Sequence, residues 1–334
     1  MMTSRSEQHL IIWRFTDGKP GHEKQTLGLA HALLRNRPGE CHDLPAAARG
    51  TALLQWIQGR FPAGNGLPAP DILLAAGHAT HFAVLAARRA LGGNFSGNFG
   101  CKFGGKVVVL MRPSLPLALF DLCVIPEHDN PPVRDNVVAI RGVLNDVQTS
   151  TASTPTQGLM LIGGVSGHYG WDDAGVGAAV AAIAASTPSV AWQLTTSRRT
   201  PATFLAALPQ PLPDNLKLMP HDQTGPGWLE HALAGAGQVW VSEDSVSMLY
   251  EALTAGAGVG LLRLPKLPGR PRVGRVSGGV RKLVGDGWVT PYEAWQPGQT
   301  LPPPPQAFNE AERIASLIVE KWLNQSAAGH SRAA

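Results

Sequence analysis

The sequence predicts an α/β protein of two domains, each a parallel sheet with helices packed on it. Short β-branched and apolar runs recur along the chain, and most end in a Gly or polar turn that leads into a helical pattern. A polar, Ser/Thr-rich stretch, residues 145–157, interrupts the alternation near the middle. At 334 residues the chain is long for one core and comfortable for two. The domains read as 1–150 and 151–305, with a final helix and tail at 306–334.

Composition narrows the function classes. Hydrophobic residues make up 44%, and the 38 Gly and 28 Pro indicate many turns. A net charge of +4 suits anionic ligands such as nucleotide diphosphates, or an anionic membrane face, and is too small to indicate nucleic acid. Cys41, Cys101 and Cys123 have no CxxC or CxxH spacing, so neither a zinc site nor a disulfide framework is expected and a reducing cytosol fits. No apolar run reaches the ~18–20 residues that span a bilayer, and the start MMTSRSEQHL lacks a signal-peptide core. The expectation is a cytoplasmic protein, with peripheral attachment to the inner face of a membrane allowed.

In the first domain, His9–Thr16 reads as a strand, Asp17–Gly21 as a Gly/Pro turn and His22–Arg35 as a helix, with Leu27, Ala30 and Leu34 on one face. The turn DGKPGH is not the GxGxxG of dinucleotide sites. Histidine is the side chain type best suited to a general base near neutral pH, which makes His22 the candidate, and Asp17 at the same edge is the reserve. A second strand falls in GECHDLP and a short helix in TALLQWIQGRF, with Leu53, Leu54, Trp56 and Ile57 partly buried. Pro70–Gly77 is a strand, and His78, Thr80 and His81 follow at its C-terminal edge, as acceptor-site candidates or as plain surface. Residues 92–105 space Phe95, Phe99 and Phe103 among glycines beside Lys102 and Lys106; they read as a membrane or lipid contact, or as a loop folded onto its own domain. KVVVLM and Phe120–Asp129 supply further strands, and DNVVAIRGVLNDV the last. Glu127, His128 and Asp129 are adjacent on one turn, a spacing that rarely converges on one metal.

The second domain repeats a strand, a turn and a helix. Gly158–Gly164 is strand then turn, where Gly163, Gly164 and Gly167 allow close backbone approach to a phosphate. Ser166, His168 and Tyr169 follow in the loop, then a helix from Trp171 to Ala185. A strand Val190–Thr196 ends in Ser197, Arg198 and Arg199, and Thr200 is placed to cap a helix with Pro201 at its first position, an arrangement suited to phosphate. NLKLMP is a short strand. Gln238–Glu243 is a buried strand, and Asp244 and Ser245 can cap the helix after it. That helix puts Val246, Leu249, Tyr250 and Leu253 on one stripe and Asp244, Ser247, Met248 and Glu251 on the other, before Gly256 stops it. Helix N-termini at strand ends favour anions, and Glu251, about two turns in, can accept hydrogen bonds from sugar hydroxyls. Residues 263–282 hold seven basic side chains and no acid, with prolines and glycines keeping the first part looped. A short strand at Gly287–Tyr292 precedes a polyproline spacer and an amphipathic helix with Ala311, Ile314, Leu317, Ile318 and Trp322 on one side.

These blocks resemble two-domain GT-B glycosyltransferases, and more closely the bacterial branch of the mitochondrial-fission (elongated-mitochondria) family. The resemblance rests on Asp17, Gly18, Gly21, Gln25 and Gly28; on Phe120–Asp121 with Pro126–Asp129; on Ile162–Gly164, Ser166, His168–Tyr169 and Trp171–Asp172; on Thr195–Thr200; and on Ser242–Gly256. It implies two Rossmann-like domains facing across a cleft, with the C-terminal helix crossing back to the first. It also implies transfer of a sugar from a nucleoside-diphosphate sugar to a lipid-linked or envelope glycan acceptor, without a catalytic metal or a separate cofactor. The implied catalytic residues are His22 and Asp17. The implied donor residues are Gly163, Gly164, Ser166 and His168 on one turn, Thr196, Ser197, Arg198 and Arg199 on the next, and Glu243, Asp244, Ser245, Ser247, Met248 and Glu251 on the third. Glu251 stands where the enzymes place the Glu that takes the ribose hydroxyls. The alternative from the same family is a non-catalytic adaptor on a degenerate nucleotide fold. A third option, a nucleotide-sugar epimerase, would need a dinucleotide fingerprint and a Tyr-x-x-x-Lys pair, and Tyr169, Tyr250 and Tyr292 each lack a Lys four residues on.

Overall fold

A computed structural model describes residues 9–92, 105–167, 169–265, 267 and 273–323, with the backbone alone for 273–277. The chain divides into two compact units, Met1–Asp146 with Glu310–Ala334, and Val147–Asn309.

The first unit is built on β1 (Leu10–Thr16), β2 (Gly39–Pro45), β3 (Ile72–Ala76), β4 (Lys106–Leu110), β5 (Leu122–Pro126) and β6 (Val137–Ile140). They form one sheet in the order β2-β1-β3-β4-β5-β6, parallel at every pairing. A parallel sheet covered on both faces needs strands that are apolar on both sides, and every residue of β3 and β5 is buried. Alternate side chains feed two cores. Ile12, Leu74, Val108 and Val124 pack with Leu29 and Leu33 of α1 (Pro20–Asn36). Trp13, Leu73, Val107 and Cys123 pack with Ala52 of α2 (Arg49–Gln58) and Val84 and Leu85 of α3 (His81–Ala90). Ala52 is the one buried residue of α2; Trp56 leans on Phe82, which leaves Leu54 and Ile57 exposed on the far side rather than partly buried.

The second unit contains β7 (Thr154–Leu161), α4 (Asp173–Ser186), β8 (Ala191–Thr195), α5 (Thr203–Ala206), β9 (Leu216–Leu218), α6 (Trp228–Gly235), β10 (Ala236–Ser242), α7 (Val246–Ala255), β11 (Gly258–Leu262), α8 (Val273–Gly285) and β12 (Val289–Pro291). Its sheet runs β12-β11-β10-β7-β8-β9, again parallel throughout; read from β9, this is the strand order of dinucleotide-binding folds. Trp192 and Trp240 fill the core, and each lies across a glycine of the neighbouring strand, Gly158 and Gly260, where a side chain would overlap the indole. The last helix, α9 (Glu310–Ile318), returns to the first unit, where Ala311, Ile314, Ala315 and Ile318 join the α1 core.

Two local expectations change. β7 begins inside the polar stretch, because Thr154–Gln157 pair with β10 and β8, so the connecting segment is shorter than its composition suggests. α4 starts after Asp172, whose carboxylate accepts the Gly175 N–H at 3.0 Å, two residues later than read. The later part of the basic stretch, for which no element was read, lies in the helix Val273–Gly285. Among the described residues no helix is long and apolar enough to cross a membrane.

Candidate functional site

In an open α/β sheet, ligands bind beyond the carboxyl ends of the strands where the strand order reverses. The first sheet reverses between β1 and β3, the second between β7 and β10. The sequence candidates cluster at these two places.

After β1, His22 Nδ1 lies 2.8 Å from Asp17 Oδ2. The Asp17 side chain is 2% exposed and that of His22 19%. An Nδ1–H donated to this carboxylate leaves Nε2 as a proton acceptor. After β3, Gly77 has φ +81, and a side chain there would overlap the His22 ring. Thr80 Oγ1 turns back to the Gly77 carbonyl at 2.8 Å. His81 is 1% exposed, and among the described residues neither ring nitrogen has a partner. Burial first, then coulombic interaction with His78, Arg49 and His22, pushes its pKa down to about 4, so it is neutral at pH 7. The His78 ring meets it edge-on at 5.7 Å. Glu127, His128 and Asp129 form one turn after β5, two strands away from β3. Burial, first among the causes, pushes the thiols of Cys41 and Cys123 up to about 11 and about 12, which removes them as nucleophiles at neutral pH. Among the described residues no group of three or more His, Cys, Asp or Glu side chains could hold a metal ion.

In the second unit the turns after β7, β8 and β10 are tied together. The Gly163 N–H donates to Ser242 Oγ at 2.7 Å and the Gly164 N–H to Asp244 Oδ2 at 2.9 Å. These glycines were expected to let a phosphate approach; here both N–H groups meet the chain's own side chains. A side chain at Gly163 would overlap Ser245 and Asp244, and one at Gly164 the Arg199 backbone. Asp244 does not cap α7. Its carboxylate points back, accepting Ser242 Oγ at 2.7 Å and Ser245 Oγ at 3.2 Å and pairing with Arg199 Nη1 at 2.7 Å. Ser245 occupies the cap position without a side-chain cap bond. Thr200 does not cap α5, which is a single turn starting at Thr203; its Oγ1 accepts the Ser197 N–H and donates to the Gly163 carbonyl. Ser197 Oγ donates to the same carbonyl at 2.8 Å.

The remaining candidates spread outward from this knot. Thr196 is held by the His221 N–H, Ser166 Oγ accepts the Tyr169 N–H, and Glu243 pairs with Arg263 Nη1 at 3.4 Å. The Tyr169 hydroxyl is raised to about 12 by burial first and then by the Glu243 charge. Arg198 and Ser247 are exposed, Met248 is half-buried and Glu251 is 4% exposed. His168, Phe95, Phe99, Phe103 and Lys102 lie outside the described residues. Sequence reasoning missed Gly77, Ser242 and Arg263 as partners. Gly77 was visible as a glycine ending an apolar strand, but its role needs His22 beside it.

Two parallel six-stranded α/β units define a GT-B-like fold. The chain belongs to the mitochondrial fission ELM1 family, whose pattern matches residues 20–322. No curated protein matches it. Among solved structures it is similar to a protein assigned as a UDP-N-acetylglucosamine 2-epimerase from Listeria monocytogenes, with 13% identity, TM-score 0.55, and 95% of this chain and 97% of that one covered. It is also similar to the UDP-GlcNAc 2-epimerase from Neisseria meningitidis bound to UDP-GlcNAc (12%, 0.49, 94% and 100%) and to the calicheamicin glycosyltransferase CalG4 (14%, 0.43, 98% and 97%). At such identities the likeness is one of fold.

Proposed function

We propose that the chain is a metal-independent glycosyltransferase that moves a sugar from a nucleoside-diphosphate sugar to a hydroxyl of a lipid-linked or envelope glycan acceptor. One observation carries the reading: the switch point of each sheet holds half of the required chemistry, an Asp-oriented imidazole in the first unit and a Ser-rich helix start in the second. His22 Nε2 takes the acceptor proton as the acceptor oxygen bonds to the anomeric carbon. The bond to the diphosphate breaks, and the diphosphate leaves with the electron pair. Ser245, Ser247 and the first N–H groups of α7 are assigned to that diphosphate and Glu251 to the ribose. The name of the Listeria neighbour makes UDP the first nucleotide to test.

A thermal-shift panel of UDP, dTDP, GDP and ADP and their sugars tests binding. Incubation with UDP-N-acetylglucosamine, read for released UDP and for epimerised sugar, then tests chemistry and separates transfer or hydrolysis from epimerisation. A panel in which no nucleotide raises the melting temperature counts against the reading. A lipid-linked acceptor further implies peripheral attachment at the inner face of the membrane, and a chain that never floats with anionic liposomes would remove that part.

The second reading is a non-catalytic adaptor. It is favoured by the family match and by the Gly163 and Gly164 N–H groups, which already have protein partners. Nucleotide binding without any donor turnover would move it ahead.

A further inference from the structure

We propose that the two adjacent arginines have different tasks: Arg199 is a strut that ties three turns together, and Arg198 supplies the positive charge that meets a nucleoside diphosphate. This rests on the donor reading above.

Arg199 Nη1 lies 2.7 Å from Asp244 Oδ2 and 3.3 Å from the carbonyls of both Gly164 and Val165. Its Nη2 donates to Ser245 Oγ at 3.2 Å. Its backbone is held too, with the N–H on Ser197 Oγ at 3.1 Å and the carbonyl accepting the Val165 N–H at 3.2 Å. The guanidinium therefore joins the turns after β7, β8 and β10. Its partner Asp244 has no exposed side-chain surface. A carboxylate that far from water is destabilising without a counter-charge, so a ligand phosphate cannot draw Arg199 away without stranding Asp244. With its charge answered at 2.7 Å, the pair presents little net charge to an anion farther out.

The same accounting removes Arg263, which faces Glu243 at 3.4 Å and Glu293 at 3.6 Å. Arg198, exposed like Arg199 on the same turn, differs in its bonding: among the described residues it makes no hydrogen bond or ion pair. A free guanidinium presents five donors in a planar fork, the geometry that grips a phosphate bidentately. Asp244 is then a positioning residue: it acts on a ligand through the turns it ties together.

Calorimetric titration with UDP at low and high salt, with melting temperatures taken in parallel, tests the division. Arg198→Ala should weaken UDP by about 10-fold, flatten the salt dependence and leave the melting temperature in place. Arg199→Gln should lower the melting temperature, because Asp244 loses its partner. Adding Asp244→Asn to Arg199→Gln should recover part of that loss, and this neutral pair should weaken UDP less than Arg198→Ala does. The division is overturned if Arg198→Ala binds UDP like the wild type, a measurement that stands even if the double variant fails to fold. It is also overturned if the neutral pair loses as much affinity as Arg198→Ala. A wild type that binds none of UDP, dTDP, GDP and ADP sinks the donor reading itself and this inference with it; a wild type that binds one of them, with Arg198→Ala unaffected toward it, sinks the division alone.

Discussion

His22 Nδ1 meets Asp17 Oδ2 at 2.8 Å, and the room for that contact exists because residue 77 has no side chain. If His22 is the base, His22→Ala should keep UDP binding and lower turnover by roughly 10²–10⁴-fold, the contribution of a positioned general base. Gly77→Ala should approach the same loss by pushing the imidazole off Asp17, with both reacting groups still present. Turnover left intact in Gly77→Ala, with a structure showing the displaced ring, would take the His22–Asp17 pair out of the mechanism.

Glu251 is 4% exposed on α7, where a carboxylate that hydrogen-bonds ribose hydroxyls would be shielded from competing water. Glu251→Ala should weaken UDP by ~1–3 kcal/mol, the range for losing a hydrogen bond to a charged group. Equal calorimetric affinities for variant and wild type would remove Glu251 from the nucleotide site.

The strands and the helix α9 were legible because each follows from a local pattern: β3 and β5 are unbroken apolar runs, and α9 carries its stripe openly; that α9 returns to the first unit was implied by the family resemblance alone. The positions of Asp17, His22 and Ser245 at strand ends were legible for the same reason. What could not be read was where short polar side chains turn. Asp244 and Thr200 look like caps, since Asp and Thr favour that position. Their oxygens instead satisfy backbone groups and Arg199 in turns dozens of residues away in sequence. A pairing between residues 164 and 244 leaves no mark in either local window, and the two glycines that accommodate it look like a phosphate loop until the partner is in view.

The tightness of that knot sets a stability prediction. A methyl at residue 164 would run into the Arg199 backbone, which cannot swing aside as a free side chain would. Gly164→Ala should therefore cost about 1–3 kcal/mol, as overpacking typically does. Gly225→Ala, whose added methyl meets nothing within 4 Å, is the control. Urea midpoints shifted equally by the two would contradict this packing.

His81 sets a pH prediction. Its folded pKa is about 4 against an ordinary 6.5, chiefly because burial disfavours the charged ring. Between those two values the unfolded chain holds a proton on this ring and the native chain does not. Native stability is thus fully present above about pH 6.5, falls as pH falls toward about 4, and gains no further loss from this group below that. The complete loss corresponds to about 3 kcal/mol. His81→Phe keeps a flat ring against His78 and Phe120 and removes two nitrogens that have no partner among the described residues. The variant should be at least as stable as the wild type at pH 7, because the desolvation penalty of those nitrogens is gone. It should also lose less stability on acidification, by up to the same amount. Urea unfolding of both proteins from pH 7 to about 4.5 isolates the effect, since titration of His78, His22 and the carboxylates is common to the two and cancels in the difference. Parallel profiles would mean that His81 does not titrate in this window and that its ring nitrogens find partners in the folded protein.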